Sequence, residues 1–159
     1  MGQGAERLSV GQVREMNGVS VQWDFNGDDA LRRHLAAIGG ATFTRVREDI
    51  GEYMLGQIQD RFDQQMLWDG SPMPQSAAAL ARQGQTLIDS RELYDSYVYN
   101  LIPDGLEFGS NKEYARIHHF GGDAGRGHSV HIEARPVLGV NDRDADLIGQ
   151  MLLNAVRMM

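Results

Sequence analysis

The chain has 159 residues, of which 42% are hydrophobic and 23% charged, and it carries a formal net charge of −7 and no cysteine. This length suits one globular domain that buries roughly two-thirds of its unfolded surface, and the missing cysteines exclude disulfides, thiolate catalysis and cysteine-ligated zinc. Residues 1–80 hold 11 acidic and 7 basic side chains and residues 81–159 hold 11 and 8, so there is no basic pole of the kind that gripping nucleic acid requires.

Residues 1–17 show no sustained period and read as a flexible N-terminal arm ahead of a domain spanning 18–159; the arm either folds against a neighbouring subunit or merely precedes an alternative start at Met16. No stretch has the ~18 apolar residues of a membrane span, and no basic segment runs into an apolar one, so the expectation is a protein made in the cytosol without a membrane anchor. Val19, Val21, Trp23 and Phe25 alternate with polar residues and predict a strand with one buried face. Asp28 or Asp29 can cap a short helix bearing Leu31, Leu35 and Ile38, which Gly39-Gly40 stops.

From Thr44 to about Trp68 the spacing predicts a long helix with Val46, Ile50, Tyr53, Met54, Ile58, Phe62 and Met66 on its core side. Gly51 and Gly56 inside it predict close approach by another element. Asp69 to Pro74 is turn-rich, and Ser76 caps an alanine-rich helix closed by Gly84. Asp89-Ser90 reads as a further helix start. Tyr97–Leu101 and Leu106–Phe108, around Pro103-Asp104-Gly105, predict an antiparallel hairpin. Lys112–His119 is a short helix ended by Gly121-Gly122, Asp123–His128 a loop, Ser129–Ala134 a strand that Arg135-Pro136 ends, and Asn141 or Asp142 caps a last helix whose Asp142, Asp144 and Asp146 complement its dipole. This order predicts an α+β fold, a mainly antiparallel sheet packed with helices.

Residues with chemical potential are few. His118, His119, His128 and His131, with Asp123 and Glu133, contain the imidazole and carboxylate of a zinc, nickel or manganese site, but adjacent histidines diverge on a helix and His128 and His131 straddle a strand. The preferred reading makes His118 a buried, hydrogen-bonded histidine and the others surface residues. Ser90 lacks the glycine-flanked turn of a nucleophile elbow, and Gly121–Gly127 lacks the Lys-Ser or Lys-Thr of a phosphate loop.

Three blocks carry more information: Leu87-Ile-Asp-Ser-Arg-Glu-Leu-Tyr-Asp-Ser96, Glu107-Phe-Gly-Ser-Asn-Lys-Glu-Tyr-Ala-Arg-Ile-His-His-Phe-Gly-Gly122 and Ala134-Arg-Pro-Val-Leu-Gly139. In this order and spacing they resemble the phage virion morphogenesis (tail completion) family of Mu-like and related tailed phages. The chain departs from the family's Leu-Ile-Asp-Thr-Gly-Arg-Leu pattern in lacking its glycine, and its bridge from Asp123 to Glu133 is shorter than the usual insertion.

The resemblance implies a fold similar to small phage neck and tail-terminator proteins. It implies a non-enzymatic structural part of the virion, without cofactor or metal, that acts in tail completion or head–tail joining. The expected form is a ring, often of six copies, at the neck end of the tail. Implied partners are other copies of itself, the tail tube protein and head–tail connector proteins, with genome DNA passing through unbound. Expected interface or architectural residues are Tyr114, His118, Phe120, Gly121, Gly122, Arg135 and Pro136, with Trp68 from a Trp68-Asp-Gly echo of the family. Phe120, Trp68 and Met73 are expected to seat in neighbouring subunits, and Arg135 to pair with a carboxylate such as Asp89 or one on a neighbour. The alternatives are an assembly factor absent from the finished particle and a metal-dependent enzyme using His118, His128 and His131.

Overall fold

The computed structural model describes residues 19–24, 40–103 and 105–158; the side chains of 19–24 and 40–43 lie outside that description. The arm at 1–17, the helix expected around 31–38 and Asp104 at the hairpin turn are likewise outside it. The elements follow in chain order as β1 (Val19–Asp24), α1 (Gly40–Gln64), α2 (Ala77–Ala81), α3 (Glu92–Asp95), β2 (Tyr97–Ile102), β3 (Gly105–Ser110), α4 (Glu113–Phe120), β4 (Gly122–Ala124), β5 (Val130–Ile132) and α5 (Asp142–Arg157).

Helix α1 forms because Val46, Ile50, Met54, Ile58 and Phe62 recur every fourth residue, and all five are buried. Each such side chain contributes about 1.5–3 kcal/mol of burial, so this stripe is the main support of the core. The helix starts four residues before Thr44, which is therefore not its cap. It packs across β2 and β3 and against α5. Gly51 meets the predicted close approach: a Cβ there would lie 2.5 Å from the Tyr99 ring on β2. Gly56 does not, since nothing lies within 4 Å of its Cβ position.

The sheet is antiparallel in the order β1-β3-β2. Strand β3 sits in the middle, with Phe108 opposite Val21 on one side and Tyr99 on the other. Its Leu106 and Phe108 are fully buried. The Arg47 guanidinium of α1 donates to the carbonyls of Ile102, Pro103 and Gly105, satisfying the tight β2–β3 turn from outside the sheet. Phe62 stacks at 5.5 and 5.7 Å on Tyr94 and Tyr97, joining α1 to the start of β2.

A second, two-stranded sheet pairs β4 with β5. Strand β4 occupies part of the segment expected to be a loop; a three-residue Gly-Asp-Ala strand carries no apolar alternation by which to recognise it. After β5 the chain passes through Arg135–Val140 outside any helix or strand, and Val137, Leu138 and Val140 are buried. The Asn141 side chain accepts from Asp144 N, and Asp144 accepts from Asn141 N, closing a capping box at the head of α5.

Candidate interaction cleft

The three sequence blocks converge on one cleft of about 780 Å³. Its first wall is α4, where Tyr114 and His118 sit one turn apart with ring centroids 6.3 Å apart and edge-on. Its second is the Leu87–Leu93 segment. Its third is β5, and Arg135 closes the base. The Tyr114 hydroxyl donates to Glu92 Oε2 at 3.2 Å, bridging the first two walls. The mouth carries mixed charge, with Arg82 3.8 Å from Asp89 in an exposed pair that is worth little.

The second wall is built from unusual backbone. Leu87 and Arg91 have φ of 63° and 65°, in the left-handed region that costs a side-chain-bearing residue about 1–2 kcal/mol. Arg91 stands where the family pattern has its glycine, and its guanidinium lies 4.1 Å over the Tyr94 ring, a cation–π contact that offsets part of that cost. Helix α3 starts only after Arg91, so the expected start at Asp89-Ser90 falls two residues early.

Arg135 is buried and pairs with a carboxylate of its own chain, Glu133 and not Asp89. Its Nε donates to the Pro74 carbonyl at 2.6 Å, its Nη1 to the Glu133 carbonyl at 3.2 Å, and its Nη2 lies 3.6 Å from Glu133 Oε2, whereas Asp89 faces Arg82. Its backbone N–H donates to the His118 carbonyl at 2.7 Å, which ties the base to α4. His118 is half-buried, but its Nδ1 has no hydrogen-bond partner, so the expectation of a hydrogen-bonded ring nitrogen fails at that atom. Burial, and secondarily the charge of Arg135, hold the His118 imidazolium below its usual range, leaving a neutral ring at pH 7.

The other expected residues lie outside the cleft. Phe120, at the end of α4, is 52% exposed. Gly121 has φ 71°, and a Cβ there would lie 2.9 Å from Ala134 N and Ile132 O, so only glycine fits; Gly122, at φ 143°, opens β4. The Pro136 carbonyl accepts from Trp68 N at 3.0 Å, and the half-buried Trp68 ring lies on Gly139, 2.7 Å from where a Cβ would be. Met73 is buried within its own chain and is not left free for a neighbour as expected. His131 Nδ1 lies 2.9 Å from Asp123 Oδ1 in an exposed pair, and among the described residues no group of three His, Asp or Glu side chains is placed to hold a metal ion.

One structural centre was not anticipated. Arg61, on the buried side of α1, pairs with Asp144 of α5 at 2.6 Å, and its Nη1 donates to the carbonyls of Val137 and Gly139 at 2.7 and 2.9 Å. The Tyr53 hydroxyl donates to the other Asp144 oxygen at 2.9 Å, and Asn141 Nδ2 donates to the Trp68 carbonyl. Burial lowers the Arg61 pKa against the opposing pull of Asp144, and burial together with the Asp144 hydrogen bond pushes Tyr53 up to about 12. Asp144 is therefore more than a dipole complement. The Asn-x-x-Asp spacing was the available signal, together with an arginine seven residues after Met54 on an otherwise apolar stripe.

Comparison with known proteins bears on what the cleft serves. The model of the phage virion morphogenesis family matches residues 26–157. A curated relative, Mu-like prophage FluMu G protein 2 of Haemophilus influenzae, is 43% identical over 68 residues, which are 42% of this chain and 49% of that protein. The matched stretch thus spans about half of the relative's length. No solved structure matches, and among the described residues no helix is long and apolar enough to cross a membrane.

Proposed function

The chain belongs to the phage virion morphogenesis family, and on that premise we propose that it completes the tail or joins it to the head, as a closed ring of about six copies at the neck end of the tail. The observation that carries this reading is the convergence of the family's three blocks, separate in sequence, on one cleft. The cleft sets the apolar side chains of Leu87, Leu93, Val130 and Ile132 among polar groups and charges of both signs, a mixture that suits docking of a protein segment.

A ring needs a heterologous interface, in which different patches meet around the axis. Strand β2 supports one side of it: among the described residues its outer edge pairs with no strand, and Val98 and Leu101 on it are 47% and 36% exposed. The cleft offers a separate surface for a tail tube or connector protein. The acidic balance of the chain suits a lumen through which DNA slides without being held.

The test is the mass of the purified protein by light scattering, alone and with tail tubes. A particle near six times the 17.7 kDa of the chain, in either condition, supports the ring. A monomer that ignores the tubes refutes it and points to a transient assembly factor.

A further inference from the structure

Building on the reading of the cleft as a docking surface, on which this step rests, we infer that its guest is an extended, acidic segment of another protein, added as a strand along the outer edge of β5 and held at Arg91. The cleft touches Val130, His131 and Ile132, all three residues of β5, and none of β4. Successive strand residues point to opposite faces, so a cavity in contact with all three runs along the edge of the strand and not over one face. Among the described residues β5 pairs with β4 alone, on its other edge. A strand edge offers backbone N–H and C=O groups to an incoming chain, and these supply affinity whatever the guest's sequence. Specificity comes from the guest's alternate side chains, and Val130, 51% exposed, together with Leu87 of the second wall gives apolar ones a place to seat.

The charges of the cleft call for an acidic guest. Each carboxylate that lines it is engaged within the chain: Asp89 lies 3.8 Å from Arg82, Glu133 Oε2 lies 3.6 Å from Arg135, and Glu92 Oε2 accepts from the Tyr114 hydroxyl at 3.2 Å. Arg82 and Arg135 are thereby matched. Arg91 is not: among the described residues no carboxylate forms an ion pair with it, Asp63, which accepts from the Tyr94 hydroxyl at 3.1 Å, included. The exposed Arg91 guanidinium rests 4.1 Å over the Tyr94 ring, a contact that steadies it and leaves its charge uncompensated. Its backbone stands at φ 65° and ψ 5°, where glycine sits freely; an arginine places a cation at the cleft in spite of the strain, and such outliers cluster where ligands are held. A guanidinium meets a carboxylate with two parallel N–H donors, so a guest with one Asp or Glu between apolar residues fits both the charge and the walls. The chain's own edge strand β2, Tyr97–Ile102, contains no acidic residue, so a second copy inserting that edge does not supply the carboxylate.

The probe is a bead-displayed library of random nonapeptides, selected on the full-length protein and counter-selected on Val130→Asp, with circular dichroism to confirm that every variant is folded. The selected peptides are expected to carry Asp or Glu between apolar residues. In fluorescence anisotropy, replacing that acid by its amide should weaken binding about tenfold to the unmodified protein and less than about twofold to Arg91→Gln. Methylating one peptide backbone nitrogen at a time should weaken binding about tenfold at alternate positions and little at those between, because only every second N–H of an added strand faces β5. If no peptide depends on Val130, the docking reading and this inference fall together. Val130-dependent peptides without an acid preference, or with one that Arg91→Gln leaves intact, overturn the acidic guest while docking stands. Equal tolerance of methylation at every position overturns strand addition. Release of protomers from a self-associated protein by the peptide, read by light scattering, assigns the cleft to a second copy and overturns its assignment to another protein.

Discussion

Replacing Asp144 by asparagine is expected to remove about 3–5 kcal/mol of folding stability, the cost of leaving a buried cation without its counter-ion. Asp144 is 1% exposed and Arg61 5%. The carboxylate gathers the Arg61 guanidinium at 2.6 Å, the Tyr53 hydroxyl at 2.9 Å and the Asn141 amide at 3.2 Å. Asparagine keeps the shape and one acceptor oxygen. That single oxygen can serve either the Arg61 and Asn141 donors, which share Oδ2, or the Tyr53 hydroxyl on Oδ1, so one side of the hub meets an amide nitrogen, and in both cases the guanidinium has lost its counter-charge. Against a total of about 5–15 kcal/mol for an ordinary domain, this is a large fraction. Urea unfolding followed by circular dichroism and tryptophan fluorescence should show a lower midpoint at unchanged slope. Asp146→Asn, exposed on the same helix, is the control and should stay within about 0.5 kcal/mol of the parent. A loss below about 1 kcal/mol in Asp144→Asn would mean that solvent screens the pair as it does at a surface, and would refute the assignment of a buried hub.

Gly51→Ala should destabilise by about 1–2 kcal/mol, overpacking against Tyr99 outweighing the helix-propensity gain, while Gly56→Ala, with open space beside it, should stabilise by up to about 1 kcal/mol; thermal melts of the two read opposite signs. Arg91→Ala should be less stable than Arg91→Gly by about 1 kcal/mol, because both lose the contact with Tyr94 but only glycine escapes the left-handed strain; equal stabilities would show that the backbone there is relaxed. Burial holds His119 at about 4, below its unfolded value near 6.5, so between these pH values the unfolded chain binds more protons and stability falls on acidification. Because His119 is only half-buried, solvent screening holds the loss to no more than about 2 kcal/mol, and His119→Gln should flatten that part of the profile in denaturant titrations from pH 7 to 4.

What could be read from the sequence was what is encoded locally. The α1 stripe, the β2–β3 hairpin, the Ser76 and Asn141 caps and the existence of strand β1 each rest on residues within a few positions of one another, and the structure has them. Long-range partners could not be read in this way. Nothing near Asp144 announces an arginine 83 positions earlier, and nothing near Arg135 announces the Pro74 carbonyl. The positive φ of Arg91 was hidden for a related reason, since the tertiary packing that forces it is not written in the adjacent residues. Of the expected site residues, Tyr114, His118 and Arg135 come together in the cleft, while Trp68, Gly121, Gly122 and Pro136 shape the chain around it.

The Arg61 hub also bears on how quickly the fold can be made and lost. Its links to Val137, Asp144 and, through Tyr53, again to Asp144 close loops of 76, 83 and 91 residues, and contacts this distant form late because the chain must give up loop entropy before it gains them. Interactions absent from the folding transition state act mainly on the rate of unfolding. The hub therefore works as a latch: once shut, it lengthens the lifetime of the folded chain while leaving the speed of folding almost untouched.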